Sequence, residues 1–247
     1  MSKTATRFIL IRGLFREQRH WGGFPALLSE TFPDAEVICV DVPGAGRRYM
    51  ERSPLSMEAM VHRIREGIEL IQPVNIIGIS MGGMIGLRWA EMYPAEINSI
   101  VCINTSAKKY SHFYERLRPQ SYFRIIQAIC SGVELRERVI YSLVSNRRAC
   151  TKVIEEWVSY AQEYPISTIN FVRQLLAAVR FDITRPPSCR LLFISSTNDN
   201  LVSHDATRAI AQSWHTPLVV NTLAGHDVPL DAPQWLCDEV RHFLTQG

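Results

Sequence analysis

No stretch of this 247-residue chain is apolar over the length that a membrane helix needs, about 20 residues. Near the amino terminus only residues 8–11 form an apolar run, which is far too short for the core of a signal peptide. The sequence therefore predicts a soluble, cytoplasmic protein with no membrane span.

Closely spaced cysteines are also missing. The six cysteines never occur in a C-x-x-C pair, and several lie in apolar runs, which favours buried free thiols over disulfides or a metal site. The chain has no dinucleotide-binding fingerprint and no clustered metal ligands. We predict that the protein works without a metal and without a cofactor.

Excess charge is small, because the formal net charge is only +3, which does not indicate nucleic-acid binding. The charge is nevertheless unevenly distributed. Residues 106–185 contain thirteen lysines and arginines against seven acids, a net +6, whereas the rest of the chain is at −3. Solvated helix faces account for such arginines, and so does a docking surface for an anionic partner or substrate; the sequence leaves both interpretations open.

Short apolar runs, typical of strands, alternate with segments of helical periodicity along most of the chain. An apolar share of 47% provides material for one large core. The alternation implies right-handed crossovers, and hence an α/β fold with a mostly parallel sheet and helices on both faces. Strands are predicted at residues 7–11, 37–40, 74–79, 97–103, 191–195 and 218–223, and helices at residues 21–32, 57–71, 84–93, 206–214 and 234–244.

The alternation stops between residues 106 and 185, where the pattern is helical throughout and Pro186-Pro187 marks a stiff boundary. A helical insert between two strands is expected to lie over the carboxyl ends of the sheet, where such folds bind ligands. We therefore predict a core formed by residues 1–105 and 186–247, with residues 106–185 as a helical cap, or lid.

The sequence Gly78-Ile79-Ser80-Met81-Gly82 joins a predicted strand to a predicted helix with almost no loop. A serine in so sharp a turn has a strained backbone and needs neighbours without side chains, which the two glycines provide. This is the G-x-S-x-G pattern of a nucleophile elbow, which exposes a serine hydroxyl above a parallel sheet. A phosphate-binding loop is the alternative, but it would need a lysine after the glycines, and none is present.

A serine hydroxyl is a weak nucleophile until a neighbouring base, here a histidine, takes its proton. The candidate is His226, which lies in a tight turn between the last predicted strand and the last predicted helix. Gly225 gives this turn the freedom to direct the imidazole over the sheet. The other histidines lie in helical patterns, near helix ends or in loop-like surroundings with no carboxylate placed to orient them: His20, His62, His112, His204, His215 and His242.

The acid that orients this histidine is expected to follow the preceding strand. The loop directly after residues 191–195 contains one acid, Asp199. Asp227 is too close to His226 along the backbone to hold the far ring nitrogen easily. The predicted catalytic residues are therefore Ser80, Asp199 and His226. The order serine, acid, histidine along the chain is the one found where a nucleophile elbow lies above such a parallel sheet.

With these motifs the chain resembles the α/β-hydrolase superfamily over nearly its whole length, residues 7–243. Residues 41–46 match the D-x-P-G-x-G turn of that family, and Gly225-His226 matches its closing histidine motif. The resemblance implies an oxyanion hole formed by two backbone N–H groups, those of Leu14 and Met81. Such donors act on charge that develops only in the transition state.

Two features depart from the family pattern. Many relatives have His-Gly where this chain has Arg12-Gly13, so Arg12 is interpreted as structural, with contact to an anionic substrate group as the alternative. The amino-terminal strands that many relatives have ahead of the strand leading to this loop, here residues 7–11, are not expected, which predicts a sheet of six or seven strands.

The leading hypothesis is a serine esterase or thioesterase that cleaves a small acyl ester or thioester through Ser80, Asp199 and His226 and an acyl-enzyme intermediate. Members of this fold with an aspartate at the elbow, the dehalogenases and epoxide hydrolases, are disfavoured by Ser80. A non-catalytic member that binds a ligand or a partner protein is the alternative of another class.

A narrower hypothesis uses the basic cap. The layout resembles the carboxylesterases that demethylate pimeloyl-[acyl-carrier protein] methyl ester in biotin synthesis. Because carrier proteins are acidic, four arginines of the cap are candidates for docking the acyl carrier protein. These are Arg136, Arg138, Arg147 and Arg148.

Overall fold

A six-stranded, wholly parallel sheet forms the centre of the computed structural model, which describes residues 6–246. This confirms the predicted fold class, with the smaller of the two expected strand numbers; residues 1–5 and 247 of the predicted core lie outside the described residues. The strands lie in the order β2-β1-β3-β4-β5-β6. Their bounds are β1 Arg7–Ile11, β2 Glu36–Val40, β3 Val74–Ile79, β4 Ile97–Ile103, β5 Arg190–Ser196 and β6 Leu218–Asn221.

Strand β3 lies between β1 and β4, and all six of its residues are buried. Its near-continuous apolar sequence is typical of a parallel strand that is covered on both faces. Because β3 is central, the residue that follows it, Ser80, emerges in the middle of the carboxyl edge of the sheet.

Helices cover both faces of this sheet. In β1, Ile9 and Ile11 pack on one face, and Phe8 and Leu10 pack on the other, as the two-residue period of a strand requires. Within residues 6–246, nine segments outside the predicted cap are helical, three as short 3₁₀ turns and six as α-helices. The 3₁₀ turns are Gln18–Trp21, Gly46–Arg48 and Pro94–Glu96, and the α-helices are α1 Phe24–Thr31, α2 Met57–Arg65, α3 Met81–Met92, α9 His204–Trp214, α10 Val228–Asp231 and α11 Pro233–Thr245.

Two helices are shorter than their apolar periodicity predicted. Helix α2 ends at Arg65 rather than at residue 71, because Gly67 follows and the chain turns; Ile71 is then 73% exposed. The helix predicted at residues 21–32 is divided between the 3₁₀ turn and α1, and Gly22, with φ of +55°, separates the two.

The segment between β4 and β5 is helical, as predicted, and has a small apolar core of its own around Val139, Ile154 and Trp157. No helix within residues 6–246 is both long and apolar enough to cross a membrane. The helices of this segment are α4 Phe113–Arg116, α5 Tyr122–Cys130, α6 Val133–Val144, α7 Thr151–Glu163 and α8 Thr168–Arg180.

All six cysteines are free thiols, in agreement with their spacing. Their predicted burial is only partly correct, because Cys130 and Cys150 are exposed while Cys102 and Cys237 are buried. Burial raises the pKa of the Cys237 thiol to about 11, so this side chain is a neutral part of the core.

Candidate active site

The backbone of Ser80 has the strained conformation that the elbow pattern predicts, with φ of +55° and ψ of −114°. Its N–H donates to the carbonyl oxygen of Ile103 at the end of β4, at 2.7 Å, which holds the turn against the neighbouring strand. A non-glycine residue with positive φ is costly and persists only where the surroundings enforce it. The strain at Ser80 is therefore the strain that a nucleophile elbow requires, and the catalytic role of Ser80 stays a prediction.

Two glycines leave room for this turn. A Cβ atom added to Gly78 would lie 2.5 Å from the backbone of Gly82 and Gly83, and one added to Gly82 would overlap the carbonyl oxygen of Ile11. The contacting atoms belong to the backbone of central elements, so a change of rotamer cannot relieve the overlap.

Gly82→Ala is consequently expected to destabilise the protein by several kcal/mol, or to prevent accumulation of folded chain. Gly132→Ala is the matched control, because φ at Gly132 is −62° and a Cβ there meets nothing within 4 Å; its effect should stay within about 1 kcal/mol. Urea unfolding followed by circular dichroism measures both. Equal stability of the two variants would contradict the close approach at the elbow.

Asp199 and His226, which are 27 residues apart in sequence, are joined by a hydrogen bond of 2.6 Å between the carboxylate Oδ2 and ring Nδ1. Asp199 is 1% exposed, and its other oxygen accepts the N–H groups of Leu201 and Val202 at 2.7 and 3.0 Å. These bonds fix the carboxylate, which in turn can fix the orientation of the imidazole.

The turn that carries His226 is bound from two sides. Asn104 donates from its side-chain amide to the His226 carbonyl oxygen at 2.9 Å, and the N–H of Asp227 donates to the Val144 carbonyl at the end of α6, at 2.9 Å. The histidine turn therefore rests on the sheet edge and on the helical segment at once.

Ser80 and His226 line the same cavity. Among the described residues no hydrogen bond joins Ser80 Oγ to the imidazole; catalytic hydrogen bonds are often longer in ligand-free proteins and shorten when substrate binds. The geometry thus brings Asp199 and His226 into direct contact and brings Ser80 to the same cavity.

The two N–H groups predicted for an oxyanion hole, those of Leu14 and Met81, belong to residues that line this cavity. No hydrogen bond from either N–H is found within residues 6–246. The next amide, that of Phe15, donates to the side chain of Gln174 on α8 at 3.3 Å. The contact orders the loop beside Leu14 and leaves the Leu14 N–H available.

Sequence reasoning missed Gln174 as a support of this loop. The side chain is fully buried, and its amide nitrogen donates to the hydroxyl of Ser53 at 3.2 Å. Asn170, one turn earlier on α8, accepts the N–H of Ser53 at 2.9 Å. Two amides four residues apart on an otherwise apolar helix face are a signal that could have indicated such a role.

The cavity has a volume of about 220 Å³ and is mainly apolar. Sheet-edge loops and helices α4, α5, α6 and α8 together enclose it. Apolar lining residues from these helices include Phe113, Ile125, Ile140, Leu143, Phe171 and Leu175. Such a lining fits an acyl chain better than a polar metabolite.

Arg12 lines the cavity, but its side chain is ion-paired with another residue of the same chain. Its guanidinium makes two parallel hydrogen bonds to the carboxylate of Asp227, one of them at 3.1 Å, and it also lies over the ring of Trp21. Arg12 is 3% exposed and Asp227 is 1% exposed. The pair is a buried ion pair between the two loops that carry Leu14 and His226.

A second buried ion pair, which sequence reasoning also missed, joins the first loop to α6. Arg16 donates to Glu137 at 2.7 Å and contacts the ring nitrogen of His20 at 2.9 Å. His20 is therefore not in an open loop, as its sequence suggested, but is buried against Trp157. Burial, reinforced by the Arg16 charge, holds the pKa of His20 well below its ordinary value, so the ring is neutral.

The four cap arginines do not form one surface. Arg136 is half-buried, lines the cavity over the ring of Phe15 and donates to Glu137 at 3.1 Å. Arg138, Arg147 and Arg148 are exposed to solvent. Only these three can meet a large partner directly, whereas Arg136 can meet a bound small molecule.

Within residues 6–246 no group of three or more histidine, cysteine, aspartate or glutamate side chains is arranged to hold a metal ion. Polar groups at the cavity include the hydroxyl of Ser80, the imidazole of His226 with its bound carboxylate, and the two N–H groups of Leu14 and Met81. This combination can perform acyl transfer to a serine hydroxyl.

Residues 6–233 match the model of the family described as alpha/beta hydrolase fold. The match extends over most of the chain, and the protein therefore belongs to the α/β-hydrolase fold family. The resemblance that the elbow, the D-x-P-G-x-G turn and the histidine motif predicted is thus confirmed at the level of the family.

Curated relatives include a biotin-synthesis protein, a lipase and an esterase. The biotin biosynthesis bifunctional protein BioHC of Teredinibacter turnerae is 24% identical over 96% of this chain but 44% of that protein. Human monoacylglycerol lipase ABHD6 is 30% identical over 33% of this chain and 27% of the lipase, so the chain spans less than half the length of either relative. The pimeloyl-[acyl-carrier protein] methyl ester esterase of Xylella fastidiosa is 25% identical over 92% of this chain and 91% of the esterase.

Solved structures share the architecture. A carboxylesterase of Nitrososphaera gargenis matches with a TM-score of 0.76 at 21% identity, over 98% of this chain and 90% of that one. A thermophilic esterase of Thermogutta terrifontis matches with a TM-score of 0.71 at 19% identity, over 98% and 90%. At these identities the similarity demonstrates the common fold alone.

Proposed function

We propose that this protein is a serine hydrolase that cleaves a carboxylic ester or thioester of an acyl substrate. The observation that carries the proposal is the 2.6 Å contact of Asp199 with His226, beside a cavity that also contains Ser80 in a strained elbow. Membership of the α/β-hydrolase family and the esterase and lipase relatives support it.

In the proposed reaction the oxygen of Ser80 attacks the acyl carbon while His226 takes the hydroxyl proton through its Nε2 atom. Asp199 keeps the imidazole in the required tautomer and stabilises its positive charge. The N–H groups of Leu14 and Met81 bind the oxyanion of the tetrahedral intermediate, an interaction worth about 3–4 kcal/mol for one donor.

The intermediate collapses when His226 returns the proton to the leaving alcohol or thiol, which gives an ester of the Ser80 oxygen. A water molecule then repeats the sequence: His226 takes its proton, the new bond to the acyl carbon forms, and Ser80 departs with the proton. The products are the free acid and the alcohol or thiol, and no redox step is needed.

A fluorophosphonate probe tests the proposal directly, because it modifies only an activated serine. Wild-type protein should be labelled at Ser80 and should hydrolyse p-nitrophenyl acyl esters, whose chain lengths then report the shape of the cavity. An unreactive Ser80 together with tight binding of an intact ligand would instead favour a non-catalytic member of the fold.

A second candidate function is hydrolysis of pimeloyl-[acyl-carrier protein] methyl ester in biotin synthesis. The relative that is known by this activity matches the chain over nearly the full length of both proteins. An acidic carrier protein would be attracted to the exposed Arg138, Arg147 and Arg148, whereas Arg136 lies in the cavity and is left out of this docking set.

For this candidate we expect the intact protein to restore growth of a bacterium that lacks the esterase and requires biotin. Reversal of Arg138, Arg147 and Arg148 to glutamate should abolish the rescue while hydrolysis of small soluble esters persists, because long-range charge attraction affects only the carrier. Reversal of the exposed basic residues Arg63 and Arg241, which lie outside the cap, is the control. Failure of the wild type to rescue would argue against this substrate and leave the general esterase proposal intact.

A further inference from the structure

An exposed apolar surface surrounds the mouth of the cavity. Of the fifteen large apolar side chains that are exposed within residues 6–246, ten lie between Phe113 and Val179. We use the name mouth patch for eight of them, each between 37% and 77% exposed. They are Phe113, Phe123, Ile126, Ile129, Ile169, Val172, Leu176 and Val179.

The patch is continuous with the cavity. Phe113, Ile129 and Val179 are exposed and also line the cavity, so they mark where it opens to solvent. From this opening the patch continues along α5 and α8 at spacings of three and four residues, which keep side chains on one side of a helix.

Charge distinguishes among the possible occupants of the patch. Helix α5 contains Arg124 and α8 contains Arg173 and Arg180, whereas neither helix contains an acidic residue. Apolar side chains flanked by cations without acids, as on α5 and α8, are typical of helices that lie in the interface of a lipid layer, with the apolar face inserted and the cations near anionic headgroups. Helix α4, which contributes Phe113, contains both Glu115 and Arg116. The arginines exposed on α6 and after it, which suit an acidic protein, are not on these two helices.

We propose that the mouth patch docks the protein onto a lipid surface with anionic headgroups, and that the acyl substrate enters the cavity from that surface. The docking half of this proposal depends only on the patch. The substrate half rests on the ester hydrolysis proposed above and makes its substrate class a membrane-embedded acyl ester. No membrane-spanning segment is required, since insertion of side chains to the depth of the headgroups is sufficient.

Flotation with vesicles of mixed phosphatidylcholine and phosphatidylglycerol measures docking without any turnover. Wild-type protein should float with these vesicles and bind pure phosphatidylcholine vesicles more weakly. Ile126→Asp and Ile169→Asp, neither of which lines the cavity, should each lower vesicle affinity about tenfold or more, because a charge replaces an inserted apolar side chain.

Ile71→Asp is the matched control, because Ile71 is 73% exposed and precedes β3 at the opposite edge of the sheet. It should leave vesicle affinity unchanged. Thermal unfolding of all three variants verifies that they are folded, and the Ser80→Ala variant should float as the wild type does, which separates docking from catalysis.

Wild-type protein that does not float with anionic vesicles would overturn the docking, and so would equal losses in Ile126→Asp and Ile71→Asp. The docking would also be overturned if the wild type sediments as a dimer that Ile126→Asp converts to a monomer, since the patch would then join two copies.

A separate outcome tests the substrate half alone. This half would be refuted if wild-type protein floats with the vesicles and hydrolyses soluble esters but does not hydrolyse an ester embedded in the vesicles. Floating protein that cleaves no ester at all would count against the proposed function instead.

Discussion

Ser80→Ala is expected to lower kcat/KM for acyl esters about 10⁴-fold or more, since the residual rate would come only from binding and the oxyanion N–H groups. The same variant should lose labelling by a fluorophosphonate. Asp199→Asn should cause a loss of similar order, because the amide can stabilise the wrong tautomer of the His226 ring that Asp199 now holds at 2.6 Å. Steady-state hydrolysis of a p-nitrophenyl ester measures both effects.

Ser106→Ala provides the matched control, because Ser106 is a buried serine that lines the same cavity. Its hydroxyl contacts Arg116 at 3.3 Å and is not in a strained turn, so most of the activity should remain. Wild-type rates in Ser80→Ala, or a comparable loss in Ser106→Ala, would remove Ser80 from the role of nucleophile.

Glu137→Gln is expected to destabilise the folded protein by about 3 kcal/mol, although the substitution conserves shape. Glu137 is 1% exposed and is the carboxylate partner of Arg16, which is 7% exposed. Without Glu137 the Arg16 charge would remain buried and uncompensated, which costs more than the ion pair itself contributes. Urea unfolding at neutral pH provides the measurement.

Glu134→Gln tests whether burial is the cause. Glu134 lies about one turn earlier on α6 and is ion-paired with Arg138, but its side chain is 72% exposed, so its loss should cost no more than about 0.5 kcal/mol. The double variant Arg16→Met with Glu137→Leu should recover a large part of the lost stability, because it removes both buried charges. A Glu137→Gln midpoint equal to that of Glu134→Gln would contradict this account.

The fold was predictable because its signals are local. The alternation of apolar runs with helical periodicity predicted all six strands of the described residues, and every strand end lies within two residues of its predicted position. Local patterns failed where a glycine outweighed periodicity, as at Gly67 after α2 and at Gly22 before α1. The spacing of apolar residues does not by itself show where a helix ends, because apolar residues that follow the helix in a loop can also pack on the core.

Much of the candidate site could also be predicted from the sequence, because each of the three predicted catalytic residues follows the carboxyl end of a strand. In a parallel sheet these ends share one edge, so the sequence predicts that Ser80, Asp199 and His226 approach one another. The Asp199–His226 contact has the predicted partners. The catalytic roles of the three residues stay a prediction until the variants above are measured.

By itself, the amino-acid sequence determined the order of strands and helices, the strained serine turn and the identity of the acid and base candidates, because backbone periodicity and turn chemistry act over a few residues. Only the tertiary structure decided which charges are neutralised and which surfaces are exposed. Arg12 is ion-paired with Asp227, which is 215 residues away in sequence, and Arg16 with Glu137, which is 121 residues away. Arg136 lines the cavity, whereas Ile126 is exposed to solvent. Such contacts depend on how separate segments pack against one another, and no local pattern of residues specifies that.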